Sequence, residues 1–309
     1  MSEITRTDLI SRAPFMMMKY PSLLKSIPSL KVKSDEHYSM GLLLERNAKK
    51  HPKQVAIVYE EREITYREFI EQANRIANYL LAQGVRKGDA VGLMVENRPE
   101  FLYCLCATMK IGAVAALINT HLRKHALVHC LNVAKANTFL IGEEVWDGFA
   151  EIEKELNGGG EKQVYLVRDE GQSNSEASDL LASCEDSDSA NPSTTADIKY
   201  GDLCGYVYTS GTTGLPKAAL LTHKRLIGGG TLFARLALNT SRKDRIYVPL
   251  PFYHSTALNI GWSVAMNAAS TIVISRKFSA SRYWDDIRQH GVTILVYVGE
   301  VCRYLMNAP

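Results

Sequence analysis

From Met40 onward the chain switches repeatedly between two hydrophobic periods, and each switch marks an element. Residues 40–50 carry their apolar side chains on one helical face. Residues 55–59 and 63–65 are short runs rich in β-branched side chains, separated by Glu60-Glu61-Arg62, and predict a hairpin. Thr65 with Glu68 forms a capping-box pattern that predicts a helix to about residue 83, closed by Gly84. A strand over 89–95 follows. Asn97 with Pro99 then predicts a helix start, Gly112 its stop, and 113–118 an apolar strand. A helix over 123–132 and strands over 138–141 and 163–167 continue the alternation. Strands alternating with helices predict an α/β fold, a parallel-rich sheet with helices on both faces.

Three stretches break this rhythm. Residues 101–118 are 18 residues with one charge, Lys110, which is long enough for a membrane span. Gly112 and the β-branched tail after it favour a buried helix followed by a strand. Residues 1–39 lack Asp and Glu between Asp8 and Asp35, and mix Phe15-Met16-Met17-Met18 and Leu23-Leu24 with Lys19, Lys25, Lys31 and Lys33. Such a segment either lies on an anionic membrane surface or packs as an arm on the domain. Pro14, Pro21 and Pro28 break any long helix there. Residues 171–197 are rich in Ser, Asp, Glu and Asn and read as a flexible surface loop inside the domain of residues 40–309.

After that loop comes Tyr206 to His223, the chemically richest stretch. Alternating Tyr206-Val207-Tyr208 predicts the end of a strand. Thr209-Ser210-Gly211-Thr212-Thr213-Gly214 and then Lys217 follow. Glycines let backbone N–H groups approach an anion, hydroxyls donate to phosphate oxygens, and a lysine adds a point charge. The same composition also suits an ordinary Ser/Thr/Gly surface loop. The spacing is not that of a Walker loop, since Ala218 follows the lysine. Residues 218–221 predict a second strand, and Thr222 caps a helix to about residue 236. Gly228-Gly229-Gly230 inside that helix implies close packing or a break.

The stretch from Tyr208 to Lys217 resembles the signature of the adenylate-forming superfamily, which contains acyl-CoA synthetases, luciferases and peptide-synthetase adenylation domains. Most members carry Gly after the lysine. Ala218-Ala219 here, with Asn97-Arg98-Pro99-Glu100-Phe101 and Leu117-Ile118-Asn119-Thr120, resembles the fatty acid transport protein branch. The resemblance implies that the loop from Thr209 to Lys217, with Ser210, Gly211, Thr212, Thr213 and Gly214, binds the phosphates of ATP. Thr212 would face Mg2+ through the bound ATP. Pro249-Leu250-Pro251-Phe252-Tyr253-His254 resembles the second core motif, in which the aromatic or His borders the acyl and adenylate pockets. Tyr253, His254 and Ala257 are thus candidates for the acid site, His254 in a positioning or gating role. Residues 297–306, with Gly299 and Glu300, resemble a further segment of that branch. Gly299 reads as a tunnel wall, or Glu300 as a cap near a helix start.

The implied activity is ATP-dependent activation of a long-chain fatty acid to acyl-adenylate and then, with coenzyme A, to acyl-CoA. Thr209, Lys217 and His254 are the residues carried over as catalytic. A bile or sterol acid ligase, or a non-catalytic lipid-binding or uptake module of the same fold, is the other reading. The resemblance covers about residues 40–309 and the first half of a family member. The family's acidic Mg-binding motif, ribose-binding aspartate and C-terminal lysine have no counterpart in it.

Composition adds constraints. With 309 residues, 46% apolar and 22% charged, the chain suits one large or two ordinary globular domains. A net charge of +3 does not imply nucleic acid. The six cysteines show no metal spacing, and Cys104 and Cys106 in an apolar run suggest buried thiols in a reducing compartment. The polar start, without a secretory pattern, implies a cytoplasmic place with peripheral contact at the inner membrane face.

Overall fold

The computed structural model describes residues 32–157, 162–169, 177–209 and 214–307. In chain order its strands are β1 (Val55–Tyr59), β2 (Arg62–Thr65), β3 (Ala90–Met94), β4 (Val114–Leu117), β5 (Thr138–Gly142), β6 (Gln163–Val167), β7 (Ser178–Asp179), β8 (Leu203–Thr209), β9 (Lys217–Thr222), β10 (Arg245–Val248), β11 (Thr271–Ile274) and β12 (Ile294–Leu295). The first helices are α1 (Met40–Lys50), α2 (Tyr66–Ala82), α3 (Pro99–Lys110) and α4 (Lys124–Ala134).

The described strands make two sheets. The seven-stranded sheet has the order β7-β6-β5-β3-β4-β8-β9, and the five-stranded sheet the order β12-β10-β11-β1-β2. Pairing is parallel except at one edge of each sheet, where the β8–β9 and β1–β2 hairpins are antiparallel. The expected α/β fold with parallel-rich sheets is thus present. One hydrophobic core joins both sheets, with Ile57 and Ile272 from the smaller and Val91 and Leu93 from the larger around α1, α2 and α3.

Local chemistry accounts for the helix limits. The Thr65 hydroxyl accepts from the Glu68 N–H at 3.3 Å, and the Glu68 carboxylate accepts from the Thr65 N–H at 2.7 Å, closing the capping box of α2. All twelve residues of α3 are buried, which explains why this stretch has no polar face and resembles a membrane span. Lys110, the lone charge of residues 101–118, is fully buried with its ammonium on the Glu45 carboxylate of α1. Among the described residues no helix is long and apolar enough to cross a membrane.

The glycine triplet marks close packing. The helix His223–Leu232 runs on into a π-turn over Phe233–Ala237. A Cβ on Gly230 would stand 2.1 Å from Ser263 Oγ, so only glycine lets this helix meet the segment that carries Ser263.

The segment expected as a bare loop divides in two. Residues 171–176 lie outside the described residues. Residues 177–197 are not bare loop: Leu180 and Cys184 are fully buried and Thr195 nearly so. The α2 side chains Asn74, Arg75 and Asn78 donate to the carbonyls of Glu185, Ser187, Asp188, Ser189 and Ala190. Bonded carbonyls let a polar strap lie flat on a helix, which composition alone does not reveal. Of the 1–39 arm, residues 1–31 lie outside the described residues. Cys104 and Cys106 are buried free thiols, as expected from their apolar run, and Cys130, Cys184 and Cys204 are buried and free as well.

His223 supplies a pH dependence. It is 1% exposed, and its Nδ1 accepts the Met40 N–H at 3.2 Å. Burial, aided by Lys87 and opposed by Asp202, lowers its pKa from 6.5 to about 4. The unfolded chain therefore takes up this proton first as pH falls, and stability is lost between pH 6.5 and 4. The expected loss between pH 7 and pH 5 is about 2 kcal/mol from this group. Urea denaturation at the two pH values should show a clearly smaller difference for His223→Gln; equal differences would assign the slope to other groups.

Candidate functional site

The antiparallel hairpin of β8 and β9 places Thr209 opposite Lys217, so the two stand at the mouth of the glycine-rich turn. Both are exposed. Ser210, Gly211, Thr212 and Thr213 lie outside the described residues. Gly214 has φ +94°, a left-handed conformation that favours glycine, with open space around its Cα. Helix α4 holds the stems of the turn. The Tyr208 hydroxyl donates to the Cys130 carbonyl at 2.7 Å, and His129 Nε2 bonds to the Pro216 carbonyl at 3.0 Å.

At the junction of the two sheets lies a cleft of about 260 Å³. Asn97 follows β3, Thr120 follows β4, Pro249 to Tyr253 follow β10, and Arg276 to Phe278 follow β11. Every one of these strands contributes its carboxyl end. Chain order reverses here in both sheets. After β3 the chain moves to one side, to β4, and after β4 it returns past β3 to β5; β10, β11 and β12 repeat the pattern. Crevices outside carboxyl ends at such switch points are the habitual ligand sites of open α/β sheets. Since β4 lies between β3 and β8, Asn97 and Thr120 follow, and Thr209 ends, three adjacent parallel strands.

Three consecutive residues after β3 hold the junction. Glu96 accepts from Arg276 at 2.8 Å and pairs with Lys277 at 2.9 Å, and its N–H donates to Glu144 at 2.6 Å. Burial acts to raise the Glu96 pKa, but the bonds and charges of Arg276 and Lys277 outweigh it and hold the carboxyl below its usual range. Arg276 also pairs with Asp169 at 2.5 Å. Asn97 is no helix cap: Arg98 occupies that place, and the Asn97 amide reaches across to the other sheet. It donates to the Leu250 carbonyl at 2.7 Å and accepts the Phe252 N–H at 2.9 Å. Arg98, 1% exposed, pairs with Glu100 and Glu144 and donates to the carbonyls of Val167 and Arg168. Sequence reasoning missed these roles, although a polar Glu-Asn-Arg triplet between two apolar elements was a signal.

The second motif sits on the cleft wall. Phe252 stacks on Phe101 at 5.4 Å. Tyr253 is buried and lines the cleft; burial raises its phenol, and the neighbouring Thr120 hydroxyl pulls it partly back. The His254 ring lies 4.7 Å from that of Tyr253, and partial desolvation lowers its pKa. Ala257 is fully buried in the core behind them. Gly299, at the start of the helix Gly299–Met306, has no heavy atom within 4 Å of where a Cβ would stand, and faces open space. Glu300, in the first turn of that helix, pairs with Arg303 rather than capping it.

A family model described as AMP-binding enzyme matches residues 44–309. The chain belongs to the AMP-binding enzyme family. It is 31% identical over 303 residues to a medium/long-chain-fatty-acid–CoA ligase, FadD6, of Mycobacterium tuberculosis, covering 98% of this chain and 49% of that protein. It is 34% identical over 266 residues to long-chain fatty acid transport protein 2 of Rattus norvegicus, covering 85% of this chain and 42% of that one. The chain therefore spans less than half the length of these curated relatives. Among solved structures, the anthranilate CoA ligase AuaEII superposes with a TM-score of 0.78 at 23% identity, covering 84% of this chain and 49% of that one. The N-terminal domain of FACL13 from Mycobacterium tuberculosis gives 0.76 at 24%, covering 88% and 65%. At these identities the two structures establish the shared AMP-binding fold.

The ion pairs at the cleft are partly buried, with Arg276 26% and Glu96 11% exposed. A double-mutant cycle of Glu96→Gln and Arg276→Met should give a coupling of about 1 kcal/mol in denaturant stability. A coupling near zero would show that solvent screens the pair.

Proposed function

We propose that this chain carries the nucleotide- and acid-binding surfaces of a long-chain fatty acid–CoA ligase that forms AMP. The observation that carries this reading is that the Thr209–Lys217 hairpin mouth stands at the carboxyl end of β8, the parallel neighbour of β4, whose own carboxyl end borders the cleft with those of β3, β10 and β11. The relatives named as fatty-acid–CoA ligase and long-chain fatty acid transport protein support the substrate class. In the first step a carboxylate oxygen of the acid attacks the α-phosphorus of ATP, and pyrophosphate leaves. In the second the thiol of coenzyme A attacks the acyl carbonyl, its proton is lost, and AMP leaves.

Thr209, Ser210, Gly211, Thr212, Thr213 and Gly214 would wrap the β- and γ-phosphates, with Lys217 as a fixed positive charge. Tyr253 and His254 would border the acid. Their apolar faces suit a fatty chain, since each buried CH2 contributes roughly 0.8 kcal/mol. His254 has its pKa lowered by desolvation, which keeps the imidazole neutral near pH 7 and suits positioning of an acid rather than pairing with it. Ala257 and Gly299 stand away from the described cleft, so any contact with the acyl chain would lie along its far reach. No cluster of three His, Cys, Asp or Glu side chains stands together among the described residues. Mg2+ would come with the triphosphate, with Thr212 facing it, and would neutralise phosphate charge.

Pyrophosphate release on mixing the chain with oleate, ATP and Mg2+ tests the reading. Oleate binding without ATP binding or release would favour a lipid-binding or uptake module instead. Lys217→Ala should weaken ATP binding at least about tenfold, the scale of one charge-assisted hydrogen bond, and leave oleate binding within about twofold. Equal losses for both ligands would make Lys217 structural.

The cellular place proposed is cytoplasmic, with the basic, apolar residues 1–39 in peripheral contact with an anionic leaflet. Vesicles rich in phosphatidylserine should carry the intact chain upward in flotation more than a variant lacking residues 1–31. Equal flotation would leave the arm without that role.

A further inference from the structure

The cleft wall and the sheet junction share one side chain. Asn97 is 4% exposed and stands at the carboxyl end of β3 in the larger sheet. Its Nδ2 donates to the Leu250 carbonyl at 2.7 Å and contacts the Ser275 carbonyl at 3.4 Å. Its Oδ1 accepts the Phe252 N–H at 2.9 Å. Both donors and one acceptor site are thus used, and all three partners belong to loops of the smaller sheet. Leu250 and Phe252 follow β10, and Ser275 follows β11.

The two bonds on the β10 loop bracket Pro251. They fix the backbone immediately before Tyr253, while Phe252 is held by its stack on Phe101. Tyr253 then reaches the cleft with Thr120 as polar neighbour, and His254 follows with its N–H on the Pro251 carbonyl at 3.0 Å. No other side chain among the described residues bonds to the backbone of residues 250–252. We propose that Asn97 is a positioning residue for the acid-binding wall: it sets where Tyr253 and His254 stand relative to the hairpin, and so governs affinity for the fatty acid but not for ATP. This deepens the ligase reading and rests on it for the identity of the ligand.

The geometry predicts the same outcome from two substitutions that act by different routes. Asn97→Asp keeps an oxygen for the Phe252 N–H but turns a second oxygen on the carbonyls of Leu250 and Ser275, which repel it. Asn97→Ser withdraws from all three partners and leaves room for a bridging water. Both release the wall, the first by repulsion and the second by loss of reach.

The test has a part that needs no ligand. With 3-fluorotyrosine at position 253, fluorine NMR reads the ring's surroundings and its titration. In the otherwise unaltered chain the line should be sharp and titrate above the free amino acid, as burial dictates. Asn97→Asp and Asn97→Ser should broaden the line and bring the midpoint toward the free value. Thr120→Val should move it further up, which calibrates the signal. Asn78→Ser, on the far face of α2, should leave it unchanged. In parallel, palmitate and ATP affinities are measured separately. The Asn97 variants should lose about tenfold for palmitate and less than about twofold for ATP, two neutral hydrogen bonds being worth that much together.

An unchanged fluorotyrosine line in both Asn97 variants, with Thr120→Val shifting it, overturns the proposal. Equal loss of palmitate and ATP overturns it too, because Asn97 would then hold the fold as a whole. Should Asn97→Asp lose its cooperative melt, Asn97→Ser carries the comparison. If the unaltered chain binds no palmitate, the ligase reading falls, and the fluorotyrosine titration still decides whether Asn97 positions the wall.

Discussion

The structure depends on how the polar ends of two parallel-rich sheets are joined. Parallel strands that end at a common junction bring carbonyls, N–H groups and loop charges into one place, and burial makes each unmet group costly. Glu96, Asn97 and Arg98 answer that constraint in sequence. Glu96 holds the end of β11 through Arg276. Asn97 holds the loop after β10. Arg98 holds the ends of β5 and β6 through Glu144 and the carbonyls of Val167 and Arg168. Such buried ion pairs are weak evidence for stability, since desolvation offsets much of the attraction. Their effect here is geometric: each admits one arrangement of its partners, so the sheets meet in one register.

That register determines what the two halves of the site can do together. The larger sheet supplies the hairpin with Thr209 and Lys217, and the smaller supplies the wall with Tyr253 and His254. Neither sheet carries both. A shift of the sheets by an ångström would separate the groups proposed to face phosphate from the wall, and alignment of two reactants is worth several kcal/mol of barrier. On the proposed function the junction belongs to the chemistry as much as to the fold.

Much of this was legible in the sequence because period and capping are local. The capping box at Thr65, the buried helix Pro99–Lys110 and the two strands that flank the glycine-rich turn all follow from neighbours within a few residues. What was missed is long-range. Asn97 finds its partners 153 to 178 residues away, and from sequence it looks like the start of a helix. The strap over 177–197 failed for a related reason. Its polar residues suggest solvent, but the groups that bond its carbonyls sit on α2, about 110 residues earlier in the chain. The glycine triplet could not be resolved until Ser263 was seen against Gly230.

The division between legible and hidden parts follows the division of labour in the site. Groups proposed to face phosphate lie in one continuous stretch, because a turn of hydroxyls and glycines makes its own anion cradle from adjacent backbone. Groups that face an apolar acid need a wall of some depth, and depth is made by tertiary packing. Tyr253 is set among Asn97, Phe101 and Thr120, drawn from two other parts of the chain. A motif search therefore finds the nucleotide side of such a site readily. The acid side is better sought from the junction outward, by asking which buried amide fixes the backbone beneath the aromatic wall.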